Sequence, residues 1–284
     1  MRDSSPSGTS FLVSFARGLG VDGEEIDPLA HELLPFWLAR LAAAPAALGG
    51  FAGFYRNAVR ATTFGLVDHI VLRTKAIDVQ ILEALRSGID QLVILGAGLD
   101  ARAWRLPELK HGVVFEVDHP ATQTYKRSRV DGRIPPGALR YIAVDFEKER
   151  FSDGLRRAGF RSDSPSVWIW EGVTMYLPLA AIHDSLEQVT SLAAPGSQLA
   201  ITYRVPGALP FGALGRTVIP VLYAAGGEPL KAAFAPHELA ALLGPAWGVL
   251  YDEDSYGWQK LTSSIASPAR NFISERLAIA TRKD

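Results

Sequence analysis

Apolar and polar positions change rhythm twice along the chain. From Glu24 to Leu48 the apolar residues recur at helical spacing, with Asp27-Pro28 as cap and first turn, and helical spacing continues over Phe51–Val71 and Lys75–Ser87. Residues up to about Ser10 lack that spacing and read as a disordered tail. From Gln91 onward, short apolar runs alternate with helical stretches. The expected order is strand Leu92–Leu95, helix from about Ala101, strand Val113–Val117, helix from His119, strand Tyr141–Val144, helix Phe151–Ala158, strand Val167–Trp170, helix Leu179–Ala193 and strand Gln198–Tyr203. Such alternation predicts an α/β fold around a parallel, doubly wound sheet. After Arg204 the rhythm breaks: Val205–Pro229 is rich in Gly and Pro yet apolar, a cover rather than another βα unit. Pro236–Leu243 resumes a helix, and Trp247–Asp252 and Glu275–Ala280 read as late strands paired antiparallel at the sheet edge. Residues 1–88 are thus expected to form a helical amino-terminal cap, too long for a lead-in. Residues 89–284 form the core, with a substrate-covering insertion at about 205–247, all in one structural domain.

Polar residues that end apolar strands are the candidates for chemistry, because an open parallel sheet binds ligands beyond its carboxyl-terminal strand ends. After the first strand come Gly96, Ala97 and Gly98, where a tight turn brings backbone close to a ligand. Glu116 and Asp118 end the second strand, and Asp118 lies about 20 residues past Gly98, the offset at which an acid reaches a ribose. Asp145 and Phe146 follow the third strand and suit a purine, the carboxylate accepting from the exocyclic amine and the ring stacking on the base. Glu171 follows the fourth and can pair with an ammonium, while an upstream arginine can hold a carboxylate in a bidentate fork. Tyr203 and Arg204 end the fifth. A cofactor that joins adenine, ribose, ammonium and carboxylate is S-adenosylmethionine.

Composition narrows the partners. The 29 basic and 30 acidic residues give a net charge of −1 with no long basic run, so a nucleic-acid footprint is absent. No cysteine is present, which removes disulfides, thiolate metal sites and a cysteine nucleophile. The six histidines form no ligand pair, so no metal is expected. The amino terminus has no hydrophobic signal core, and Pro35, Arg40 and Pro45 interrupt the most apolar stretch. The expectation is a cytoplasmic protein with a small-molecule substrate and neither nucleic acid nor membrane as partner; oligomeric state is not legible.

The segments VLRTKAID at Val71–Asp78, VILGAGLDARAWRL at Val93–Leu106, FEVDHP at Phe115–Pro120, VDF at Val144–Phe146 and WEGVTMYL at Trp170–Leu177, with the closing ERLAIATR, carry a family resemblance. In that order they resemble the leucine carboxyl methyltransferase family, and within it the bacterial polyketide O-methyltransferases. The resemblance implies a class I, Rossmann-like methyltransferase fold with a seven-stranded sheet whose last strand is antiparallel. It also implies Arg73 on the methionyl carboxylate, Gly96 and Gly98 beside the methionyl and ribose portions, and Asp118 on the ribose. His119 would stand next to the cofactor, Asp145 and Phe146 at adenine, and Glu171 near the methionyl amine. Tyr176, Tyr203 and Arg204 are the candidates for the substrate side.

Each residue also has a plainer reading. Arg73 could be an exposed helix arginine, Asp145 a helix N-cap, Phe146 a core residue, Glu171 a turn residue, and Tyr203 and Arg204 closers of the sheet edge. Gly96, Gly98 and Ala101 also meet the dinucleotide spacing, which keeps a nicotinamide-dependent oxidoreductase as an alternative. A non-methylating S-adenosylmethionine-binding member of the family is another. The leading expectation is an S-adenosylmethionine-dependent O-methyltransferase acting on a carboxylate or phenol of a small apolar, polyketide-like compound, with no general base assigned.

Overall fold

Burial along the first strand of the sheet shows how the core is divided. In β1 (Gln91–Leu95) all five residues are buried, with Leu92 and Ile94 in one apolar layer and Val93 and Leu95 in the other. A strand covered on both faces reads as a continuous apolar run rather than an alternating one. The computed structural model describes residues 7–21, 26–206, 228–268 and 274–284.

β1 pairs in parallel with β2 (Val113–Asp118) on one side and β4 (Val167–Trp170) on the other. β3 (Ala138–Ala143) extends the sheet beyond β2, and β5 (Gln198–Arg204) beyond β4. β7 (Glu275–Arg282) then runs antiparallel between β5 and the edge strand β6 (Trp247–Glu253), giving the order β3-β2-β1-β4-β5-β7-β6. Chain order reverses between β1 and β4, which opens a crevice at their carboxyl ends.

Among the described residues, the helices of the sheet region are short α6 (Arg102–Arg105), α7 (Pro120–Arg129), α8 (Ser152–Arg157), α9 (Leu179–Leu192), α10 (Pro236–Leu243) and α11 (Ser255–Thr262). Pro107 ends α6 after one turn, whereas Pro120 occupies the first turn of α7, where the missing N–H costs nothing. Trp168 and Trp170 pack with Phe151 and Leu186 in the layer beneath α8 and α9.

The amino-terminal region departs from the sequence expectation in three places. Of the tail expected up to about Ser10, residues 1–6 lie outside the described residues, while Gly8–Ser10 already open helix α1 (Gly8–Leu19), which is capped by Ser7, whose Oγ accepts from Ser10 N, and bears Phe15, Ala16 and Leu19 in the core. The single helix expected up to Leu48 is α2 (Ala30–Leu33) and α3 (Phe36–Ala47); Leu34 is extended because it precedes Pro35. The gap expected between Val71 and Lys75 does not exist. The chain instead breaks at Phe64 and Gly65, both with positive φ, separating α4 (Ala52–Thr62) from α5 (Leu66–Arg86). Of the expected cover at about 205–247, residues 207–227 lie outside the described residues.

Candidate active site

A cavity of about 460 Å³ opens at the reversal point of the sheet, within the size range of small-molecule sites. Its floor is the turn after β1. Gly96 N donates to Val117 O at 2.7 Å, locking the turn to β2, and Gly96 has φ +67°. A Cβ there would collide with Val173 Cγ2. Gly98 N donates to Asp118 Oδ2, and His119 N donates to Asp118 Oδ1 at 2.6 Å. Both carboxylate oxygens are therefore fixed by backbone donors while each keeps a further acceptor position. Burial raises the Asp118 pKa, against the pull of those two N–H groups.

The far wall carries the adenine candidates. Asp145 Oδ1 accepts from Glu147 N at 3.0 Å in a turn, so Asp145 caps no helix. Lys148 and the Glu147 N–H outweigh partial burial and hold the Asp145 carboxyl below its usual value. The Phe146 ring lines the cavity and also packs against Phe151 and Trp170. His119 accepts from Ala121 N through Nδ1 at the start of α7 and borders the cavity beside Asp118.

The opposite wall is ionic and buried. Glu171 Oε1 receives Arg17 Nη2 at 2.8 Å and Arg73 Nε at 2.9 Å, and Glu171 Oε2 receives Arg102 Nη1 at 2.8 Å. Burial alone would raise the Glu171 pKa, but these three guanidiniums hold it well below the usual carboxylate range. Arg73 Nη1 also reaches both oxygens of Glu275, at 2.8 and 2.9 Å, and His69 Nε2 lies 2.6 Å from Glu275 Oε2. Burial opposes ionisation of Glu275, yet Arg73 and His69 bring its pKa down to about 2. Asp100 completes the cluster, paired with Arg102 and 3.7 Å from Arg17.

Arg73, Gly96, Ala97, Gly98, Asp118, His119, Asp145, Phe146, Glu171 and Tyr176 all border this one cavity. Tyr203 and Arg204 do not. Tyr203 is fully buried and donates its hydroxyl to Asp252 at 2.6 Å, joining β5 to β6. Arg204 reaches Ala232 O at 3.5 Å. Glu116, although it ends β2, is turned to Lys126 Nζ at 2.6 Å in the interior. Residues missed in the sequence are Arg17, His69, Asp100, Arg102 and Glu275. The signal for two of them was the Asp-x-Arg directly after the glycine turn, and for Glu275 its place opening the last strand.

The fold and crevice are those of a class I methyltransferase: a seven-stranded sheet with one antiparallel strand and a glycine turn facing an acidic strand tip. The family model for leucine carboxyl methyltransferase matches residues 26–190, and the chain belongs to that family. A Mycobacterium sp. (strain JLS) protein named "Putative S-adenosyl-L-methionine-dependent methyltransferase" is 42% identical over 149 residues, covering 52% of this chain and 48% of its own. One of the same name from Mycobacterium marinum is 43% identical over 137 residues, 48% of this chain and 42% of its own. The chain spans about half the length of the curated relatives it matches. Among solved structures, a DUF574-family protein from Streptomyces avermitilis superposes with a TM-score of 0.61 at 16% identity, covering 98% of both chains. A Thermobifida fusca protein solved as a "putative methyltransferase" gives 0.62 at 16% identity, covering 100% of this chain and 97% of its own.

Proposed function

We propose that the protein is an S-adenosylmethionine-dependent O-methyltransferase whose acceptor is a carboxylate or phenol of a small, largely apolar, polyketide-like molecule. The observation that carries this reading is the meeting of Asp118, the Asp145-Phe146 pair and the Arg73–Glu171 ion pair around one cavity. The residues fit the cofactor part by part. Asp118 retains acceptor capacity for a ribose diol after its two backbone contacts. The Gly96 turn gives room that a side chain would close. An α-amino acid is a zwitterion, so it can enter between Arg73 and Glu171 and replace one buried ion pair by two without adding net charge.

When bound, S-adenosylmethionine supplies a methyl group on a sulfonium, which passes to an acceptor oxygen lone pair as the carbon–sulfur bond breaks. The chain's own task is to align the two reactants and exclude water, which contributes about 7–11 kcal/mol in favourable cases. A carboxylate is already ionised near neutral pH, whereas a phenol needs its proton removed.

The test is calorimetric titration of the protein with S-adenosylmethionine, and in parallel with NAD. Heat with the former alone is expected. Asp118→Ala should weaken that binding about 10- to 100-fold, the range for hydrogen bonds to a charged group, while circular dichroism shows the fold retained. No heat with S-adenosylmethionine, or heat with NAD instead, refutes the reading. Labelled methyl recovered in a base-labile product marks an ester; in a base-stable product, release of methyl iodide by hydriodic acid marks an aryl ether, and methyl retained through that treatment as N- or C-methyl refutes O-methylation.

A further inference from the structure

The second feature of the molecule lies outside the cavity, on the hairpin formed by α3, the 3₁₀ turn Gly49–Phe51 and α4. From Leu41 to Phe54 no residue has a polar side chain. In a folded protein such a run is normally interior, but here it projects. Phe36 is 72% exposed, Trp37 62%, Phe51 74% and Phe54 76%, and Leu41 and Leu48 are exposed as well. A Cβ placed on Gly49, Gly50 or Gly53 would meet no atom within 4 Å, so the tip stands clear of the body. Its backbone is nonetheless satisfied locally, with Leu48 N on Pro45 O and Phe51 N on Leu48 O. Tyr55 also ties the two helices, donating to Leu41 O at 2.9 Å.

Charge selects the occupant. Between Glu32 and Asp68 the chain has no acidic residue, whereas Arg40 and Arg56 fall within that stretch; Arg60 is there too, but its guanidinium is paired with the Asp68 carboxylate at 2.7 and 2.8 Å. The Arg40 guanidinium rests 5.2 Å over the Phe36 ring, an arrangement that keeps the charge beside the apolar surface. A symmetric pairing of two copies through this hairpin would bring Arg40 and Arg56 of both into one interface, with no acid between Glu32 and Asp68 to meet them. A protein partner would ordinarily find side-chain hydrogen bonds, about one per 100–200 Å² of interface, and Leu41–Phe54 offers none. A lipid surface demands none. Apolar side chains at a tip, aromatic residues beside them and arginines behind suit insertion to the headgroup boundary of an anionic bilayer.

We infer that the α3–α4 hairpin seats the protein on the surface of membranes containing anionic phospholipid. No helix among the described residues is long and apolar enough to cross a membrane, so the contact is peripheral. The sequence expectation of no membrane partner rested on the lack of a spanning segment, and a surface-seated hairpin needs none. Thr63, Phe64 and Gly65 join α4 to α5, whose Leu66 and Ile70 line the cavity, so the docking element is continuous with one cavity wall.

The experiment is flotation of the full chain with vesicles of phosphatidylcholine alone or mixed with phosphatidylglycerol, at low and high salt. It needs no cofactor and reads out independently of the methyl-transfer proposal. Flotation with the mixed vesicles, weakened by salt, is expected. The Phe51→Ser/Phe54→Ser variant should lose about tenfold or more of this binding, since both rings are largely in solvent and their loss leaves the core intact. Leu250→Ser, at a residue of the edge strand β6 that is 72% exposed, should bind as the parent does. Absence of flotation, equal binding by the double variant, or a dimer in light scattering that the double variant dissolves would each overturn the inference.

Discussion

Gly96 is a cavity residue at which geometry leaves little latitude. Its φ of +67° belongs to the left-handed region, and the space its Cβ would take is filled by Val173. Gly96→Ala should therefore incur two separate costs, about 1–2 kcal/mol for the backbone and about 1–3 kcal/mol for overpacking. They are separable by a double-mutant cycle. Adding Val173→Ala relieves the collision but not the backbone, so urea unfolding of the double variant should show a penalty clearly below the sum of the singles. Strict additivity would mean that the two side chains do not compete for this space. Asp118, by contrast, uses its carboxylate twice: it ties down the Gly98 turn and retains acceptor positions on the cavity side. Its offset from Gly98 made it legible in the sequence, and its two backbone contacts explain why a strand-tip acid there is so firmly oriented.

At the scale of elements, the sheet was legible because strands buried on both faces leave unbroken apolar runs between turn residues. Leu92–Leu95 and Val167–Trp170 are the clearest cases. β3 was placed three residues late at its start because Ala138 and Leu139 are only partly covered and Arg140 is exposed, so burial does not mark them. The amino-terminal helices were harder. α1 is short, it begins next to a polar stretch, and its meaning lies in long-range partners: Arg17 meets Thr74, Glu171 and Asp100, none of them near in sequence. Ion pairs leave no periodicity to read. Arg17→Leu should destabilise the protein by about 3 kcal/mol, the lower end of the range for breaking a buried pair, because Glu171 and Asp100 keep Arg102 as a partner. The same variant should weaken S-adenosylmethionine binding by less than Asp118→Ala does, since Arg17 acts by holding Glu171 in place. A variant as stable as the parent would show that α1 is held by its apolar face alone.

Across the whole molecule, two groups of buried carboxylates push stability in opposite directions with pH. Glu275 and Glu171 have pKa values depressed by their arginines, Glu275 to about 2. Such groups stabilise the native state fully above their unfolded value near 4.5, and that contribution disappears as pH falls through the folded value. For Glu275 the amount is on the order of 3 kcal/mol. Glu116 behaves the other way. Burial pushes its pKa up to about 7, and Lys126 offsets this only in part, so its native form prefers the proton. Between about pH 4.5 and 7 the native state therefore holds a proton that the unfolded chain has released, and stability drops as pH rises through that window. The expected profile has its maximum at the lower end of that window, with a steep acid limb from the arginine-bound carboxylates and a gentler neutral limb from Glu116. Urea unfolding from pH 2 to 9 measures both. Glu275→Gln should lower stability at neutral pH by leaving Arg73 with one carboxylate, yet flatten the acid limb. Glu116→Gln should leave the acid limb in place and reduce the slope of the profile between pH 4.5 and 7. If neither substitution changes the limb assigned to it, the buried charges are not what couples the fold to protons.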